Sequence, residues 1–359
     1  MQKILLLGNL DSIHLQKVVA GLDKSKYKVF VVGGSRNKPV GLYPSHVFLY
    51  TSKFRGKLSY LAIAIKFLLV SLKVSPDIIN AHYATSYGFI STLYRKNCVR
   101  IISVWGSDLL LFPHRSRLHL FLSRYILDSA DAIFATSKIL ETSARNLCNK
   151  PVHITPFGIN TRLFQRVNVK NVTSKAIGTV KGLEDVYGID RLIRVFAKWK
   201  KQYNGDLLLR IAGDGSKAVS LYDLCVELGI ENSVEFVGRI SQYEVPKFLS
   251  SLSIYFALSR SESFGVAVLE ASACEVPVIV TEVGGLPEVV VDGTTGYIVP
   301  ESELDQIPKI MNSILENPDH CSELGRAGRK FVVANFSLNE TSRVYNKQIE
   351  NVLKSIDRV

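Results

Sequence analysis

Short runs of consecutive apolar residues alternate along this chain with longer segments whose apolar positions recur every three to four residues. Lys3–Leu7, Tyr27–Val32, Val47–Tyr50, a run ending at His82, Arg100–Val104 and Ala130–Ser137 read as strands of the first half. Ala176–Val180, Leu207–Ala212, Val234–Ile240, Ser253–Leu258 and Val276–Val280 read as strands of the second. Their unbroken apolar character predicts parallel sheets covered on both faces. Helices are predicted between them, among them Leu15–Leu22, Leu58–Leu72, Lys138–Leu147 and Val266–Cys274, with another starting at Gly284-Gly285. A last helix, Leu338–Ile356, puts Tyr345, Ile349, Val352, Leu353 and Ile356 on one face. The class is α/β, and 359 residues exceed what one core normally organises, so two domains are expected.

Charge divides the chain unevenly. Residues 1–160 hold 21 Lys and Arg against 7 Asp and Glu, whereas residues 161–359 hold 23 against 25. A first half at net +14 is expected to meet something anionic: a phospholipid membrane surface, a lipid-diphosphate acceptor or nucleic acid. No nucleic-acid motif accompanies the charge, so no nucleic-acid partner is expected. The loops Ser35–Lys38 and Lys53–Lys57 carry part of it, the second directly ahead of the apolar segment Leu58–Leu72. Basic residues beside an apolar helix suit a membrane surface, although the segment is too short, and with Lys66 and Lys73 too charged, to span one. The helix itself reads as a core helix and the loop as the surface-binding part. Five cysteines at 98, 148, 225, 274 and 321 show no paired spacing and read as reduced thiols of a cytosolic protein. The opening Met1–Gly8 is too short an apolar run for a signal peptide and reads as a strand.

Chemistry concentrates at Ser259–Ala271. Glu262 lies in the loop between a buried strand and a helix, and Glu270 about a turn and a half inside that helix. Unpaired N–H groups at a helix start make an anion site, and Gly265 lets backbone approach a ligand. Side chains lean toward a helix N-terminus, so Glu270 points to the same mouth as Glu262. Such a pair suits a ligand with a diphosphate in its middle and hydroxyls at both ends, the shape of a nucleotide sugar.

With Phe264-Gly265 between the acids, and Pro277 and Gly284-Gly285-Leu286-Pro287-Glu288 beyond, this stretch resembles the Glu-x7-Glu motif of the retaining glycosyltransferases of family 4. Pro76–His82, Trp105–Asp108 and Pro156–Asn160 resemble further segments of that family, with Asn160 where aspartate is commoner. The resemblance implies the GT-B fold: two doubly wound Rossmann-like domains facing a deep cleft. An acceptor-binding domain would cover residues 1–160, a linker 161–174, a nucleotide-sugar-binding domain 175–336, and a terminal helix over 337–359 would cross back onto the first domain. The implied reaction moves a sugar from a UDP- or GDP-linked donor to a hydroxyl of a glycan or lipid-linked acceptor, with retention. A place in bacterial capsule, O-antigen or exopolysaccharide synthesis would fit, in the cytoplasm or at the inner face of the membrane.

Carried over by matching position, Glu270 would bind the ribose and Glu262 the donor sugar and diphosphate, while His82 would face the reacting sugar. Lys181, Phe264, Gly265, Gly213, Arg239, Gly284 and Gly285 would complete the donor site. Gly8, His14 and Asp108 would serve the acceptor. His14 and Asp108 suit helix capping equally well, and His82 a structural strand end. No Asp-x-Asp is present, and neither metal nor cofactor is expected. The chain departs from the family at the diphosphate: Thr179 stands where arginine is usual and Val186-Tyr187 where lysine is, leaving Lys181 as the cation of that loop. That departure leaves open a non-catalytic nucleotide-sugar-binding subunit. An epimerase of the same architecture is a further alternative.

Overall fold

The strands form where β-branched and other apolar residues run together, and most are joined to the next parallel strand of their sheet by a helical crossover. A computed structural model describes residues 1–35, 43–52, 58–168, 175–203 and 206–356. The basic residues of loops 36–38 and 53–57 therefore lie outside the described residues, as does 169–174. In the first sheet β1 is Gln2–Leu7, β2 Tyr27–Gly34, β3 Phe48–Ser52, β4 Ile78–His82, β5 Val99–Val104, β6 Ala132–Ala135 and β7 Val152–Ile154. They pair in parallel in the order β3-β2-β1-β4-β5-β6-β7. In the second sheet β8 is Lys175–Val180, β9 Leu207–Ala212, β10 Val234–Gly238, β11 Ile254–Ala257, β12 Val278–Thr281 and β13 Gly296–Val299. Their order is β10-β9-β8-β11-β12-β13, again parallel.

Each sheet is the centre of its own unit, one of Met1–Gly158 with Leu338–Val359, the other of Ile159–Ser337. In the first, alternate residues of the strands face opposite layers. Ile4, Leu6, Val29 and Val31 pack under the helix Ile13–Gly21 and the terminal helix Leu338–Ile356. Leu5, Leu7, Phe30 and Val32 pack under the helix Leu58–Val74, and Ile102, Val104 and Ile133 under Arg117–Asp128. The terminal helix buries Tyr345, Ile349 and Val352, and Asn80 Nδ2 donates to the Tyr345 hydroxyl at 3.0 Å.

Two local expectations change. The polar stretch after Asn160 is not a free spacer where it is described. Phe164 is fully buried, its carbonyl accepts from Arg329 Nη1 at 3.1 Å, and Val167 N–H donates to Ser250 Oγ at 3.0 Å. The helix expected after Gly284-Gly285 is a single tight turn, Leu286–Glu288, with Pro287 inside it. Among the described residues no helix is long and apolar enough to cross a membrane.

Candidate active site

Doubly wound sheets bind ligands outside the carboxyl ends of their strands, where the strand order reverses. The second sheet reverses between β8 and β11. Lys181 directly follows β8, and Glu262 lies in the loop after β11. Their side chains meet in an ion pair with only 10% and 13% of their surfaces exposed, which marks it as an interior pair. Burial pulls the Lys181 pKa down, but the charge of Glu262, its hydrogen bond and the nearby Tyr255 and Tyr187 together outweigh burial, and the value is raised. The Tyr187 ring lies 4.9 Å from the ammonium, so the residue standing at the family's lysine position contributes a π-face. Tyr255 is buried beneath, its hydroxyl donating to Val180 O at 3.3 Å, and it feels the charges of Lys181, Glu262 and Glu270 together. Three expected donor residues thus gather around one phenol.

Backbone contacts fix Glu262. Its carbonyl accepts from Gly285 N–H at 2.9 Å, and a Cβ built on Gly284 would stand 1.9 Å from the same oxygen. Arg191 Nη1 lies 3.5 and 3.4 Å from the carbonyls of Leu258 and Ser259, while Arg260 binds both carboxylate oxygens of Asp190, at 2.7 and 2.6 Å. These two braces were missed, because in sequence an arginine in a loop (Arg260) or in the first turn of a helix (Arg191) reads as a solvated charge. Gly265 caps the helix Val266–Ala273 at φ +108, and a Cβ there would meet Val289 and Leu286. Glu270 is half-buried within that helix. Gly213 follows β9 at φ +149, where a Cβ would stand 1.8 Å from the Lys181 carbonyl. Lys181, Gly213 and the exposed Arg239 line one open pocket of about 430 Å³ with Gly182, Asp214 and Gly215.

Several expected roles shift. Protein backbone at Gly213, Gly284 and Gly285 leaves no room for a Cβ, so packing by itself already requires glycine there. Phe264 is 2% exposed and packs edge-on against Phe336, so its ring anchors the loop from inside instead of facing a donor. Asp108 is fully buried and accepts from the backbone N–H groups of Ala84, Trp105 and Gly106 at 3.0, 3.1 and 2.8 Å. Burial pushes its pKa up and those amides pull it part of the way back. Asp108 organises the loops after β4 and β5, and is not an open carboxylate for an acceptor.

The first sheet reverses between β1 and β4. Gly8 follows β1, His82 ends β4, and a Cβ on Gly8 would lie 3.4 Å from that of His82. His82 is buried, and neither ring nitrogen has a hydrogen-bond partner among the described residues. The same holds for His14 Nδ1 and Thr136 Oγ1. His14 stacks on Phe157 at 3.9 Å and meets Trp105 edge-on at 5.9 Å; the helix cap is Ser12, so His14 is free of that duty. All three side chains line one narrow cavity of about 30 Å³, walled also by Trp105, Phe157 and Tyr345. That is room for a water or two. Next in the chain, Tyr83 sits at φ +82, a strained conformation that clusters at functional sites.

Burial lowers the His82 pKa to about 3, and burial followed by the nearby Lys17 lowers that of His14 to about 4. Both imidazoles are therefore neutral near pH 7, with hydrogen-bonding nitrogens for a hydroxylic ligand. Below pH 6.5 the unfolded chain takes up protons that the folded chain refuses, so stability falls with pH by about 1.4 kcal/mol per unit and per histidine. Urea denaturation between pH 7 and 5 should show this loss, and His82→Asn should remove one histidine's share. A flat profile would place His82 in contact with water.

Comparison with known proteins agrees with this architecture. Residues 160–331 match the family described as glycosyl transferases group 1, and residues 3–137 that described as glycosyl transferase 4-like. The N-acetyl-alpha-D-glucosaminyl L-malate synthase of Bacillus anthracis is 26% identical over 82% of this chain and 80% of its own. Sucrose-phosphate synthase from Thermosynechococcus elongatus superimposes with a TM-score of 0.85 at 19% identity, over 99% of this chain and 100% of its own. Anabaena HepE, solved with UDP-glucose, gives 0.78 at 19% identity over the same shares. The fold is GT-B, with two doubly wound parallel-sheet domains.

Proposed function

From a chain that belongs to the glycosyltransferases, we propose a retaining enzyme that moves a sugar from a nucleoside diphosphate to an acceptor hydroxyl. The observation that carries the reading is the Lys181–Glu262 pair at the switch point of the second sheet, with Glu270 in the helix behind it. Glu270 holds the ribose hydroxyls. Lys181 and the first amides of Val266–Ala273 neutralise the diphosphate. Glu262 keeps the lysine in place and meets a hydroxyl of the donor sugar. As the bond from the anomeric carbon to the β-phosphate oxygen breaks, negative charge grows on that oxygen beside Lys181. The acceptor oxygen bonds to the same face of the sugar, and its proton passes to the departing phosphate. No metal enters this scheme.

The acceptor is a glycan or lipid-linked hydroxyl carrying negative charge, since the first half of the chain is at net +14. Surface polysaccharide assembly is the setting in which such acceptors occur. UDP- and GDP-sugars, screened by thermal denaturation, test the donor. At a hundredfold excess over Kd, a true donor should stabilise the protein by about 2.7 kcal/mol. NMR of the product should show the anomeric configuration unchanged. If no nucleotide sugar shifts the melting curve, the reading fails. Binding without diphosphate release would favour a non-catalytic subunit, which the unusual Thr179 would suit.

A further inference from the structure

We propose that the outer surface of the first unit, formed by the helices Leu58–Val74 and Arg117–Asp128, seats the protein on an anionic lipid bilayer. Both helices cover the same face of the first sheet, since Ala81 pairs with Ile102 in register and Ile102 with Ile133. Their outward sides therefore point the same way. On Leu58–Val74 the core side is Ile63, Phe67, Val70 and Val74, each under 8% exposed. The opposite side is Leu61, Ile65, Leu69 and Leu72, each more than half exposed. These recur four, four and three residues apart, one stripe on a helix. On Arg117–Asp128 the outward side is Leu118, Phe121 and Tyr125, with Leu118 and Phe121 each 64% exposed. A soluble surface rarely leaves this many large apolar side chains in water.

Charge selects the occupant. From Leu58 through Asp128 the chain holds eight Lys and Arg against three acids, Asp77, Asp108 and Asp128, of which Asp108 is buried. Lys73, Arg117 and Arg124 are exposed on the two helices themselves, Arg115 just ahead of the second, and Arg95 and Lys96 in the segment between them. Long basic side chains reach lipid phosphates while the apolar residues between them enter the acyl boundary. A second copy is a poor occupant, because a two-fold interface would bring two sets of these cations together. The helix read from sequence as a plain core element thus carries the surface, independently of the basic loop ahead of it.

The test is co-sedimentation with vesicles of phosphatidylcholine containing phosphatidylglycerol, against phosphatidylcholine alone. The wild-type chain should bind the anionic vesicles, and more weakly as salt rises. Ile65→Asp with Phe121→Asp should lower partitioning at least tenfold, with unchanged circular dichroism and melting, because both side chains are exposed. Arg117→Glu should chiefly reduce the salt-sensitive part. Equal binding to both vesicle types, no binding to either, or binding unchanged in the double variant would overturn the proposal. So would a wild-type dimer in light scattering that the double variant dissolves, which would assign the surface to a second copy.

Discussion

Replacing Lys181 by alanine should lower turnover by two to three orders of magnitude, the usual cost of removing one donor that meets developing negative charge. The argument rests on what surrounds the ammonium. Glu262 is its ion-pair partner, and the Tyr187 ring and Tyr255 phenol fill the space beneath. Losing the cation therefore has two consequences that can be separated. A nearly buried Glu262 loses its counter-charge, which destabilises the fold by an amount approaching the ~3–5 kcal/mol of a broken interior pair. The diphosphate also loses its neutralising charge as the sugar departs. Lys181→Met with Glu262→Gln should recover most of the stability and none of the turnover. Diphosphate release and urea midpoints, measured on both variants, check this. Turnover within threefold of wild type in Lys181→Ala would remove the lysine from the chemistry. Because the folded pKa of Lys181 is raised, its stabilisation is present below the unfolded value and lost only as pH rises through the folded one. Between pH 6 and 9 this pair should leave stability unchanged, in contrast to the acid-side loss from His82.

The second large effect lies in a residue with no side chain. Gly284→Ala should destabilise the second unit by roughly 3–5 kcal/mol. Its φ is +58, and the new Cβ would stand 1.9 Å from the Glu262 carbonyl oxygen and 3.0 Å from its carbon. The obstacle is backbone, so no side-chain rotation relieves it. Either the Leu286–Glu288 turn or the Glu262 loop must move, and the loop carries the carboxylate. Gly293→Ala is the control: its φ is +67 but nothing lies within 4 Å of the added carbon. That variant should lose only the left-handed penalty, about 1–2 kcal/mol. Equal losses at the two positions would mean that the loop adapts freely. Donor turnover should fall in Gly284→Ala well beyond what unfolding explains, and stay intact in Gly293→Ala.

Much of the site was legible because its residue types are rare in combination. Two glutamates flanking Phe264-Gly265, after a buried strand, point to one loop and one helix start wherever the rest of the chain goes. Lys181 was the cation left in its loop. What could not be read was that Lys181 and Glu262 touch, 81 residues apart. Asp108 and Phe264 show the opposite failure. Each sits beside motif residues, yet the aspartate is consumed by three backbone N–H groups and the phenylalanine by Phe336. Sequence proximity to a motif says nothing about which way a side chain turns once neighbouring loops close over it.

By itself the sequence determined most of the strands and helices and their order, because apolar runs and helical periods are local quantities that each segment expresses alone; the short strands Val152–Ile154 and Gly296–Val299 and the turn at Leu286–Glu288 escaped it. It determined, too, which segments hold acids, cations and histidines. Only the tertiary structure decided the partnerships. β1 lies beside β4, and β8 beside β11, through crossovers that skip two strands; these put Gly8 against His82 and Lys181 against Glu262. It also decided which side of Leu58–Val74 meets water, since a helix apolar all round has no period from which to choose a face, and the sheet beneath it makes the choice.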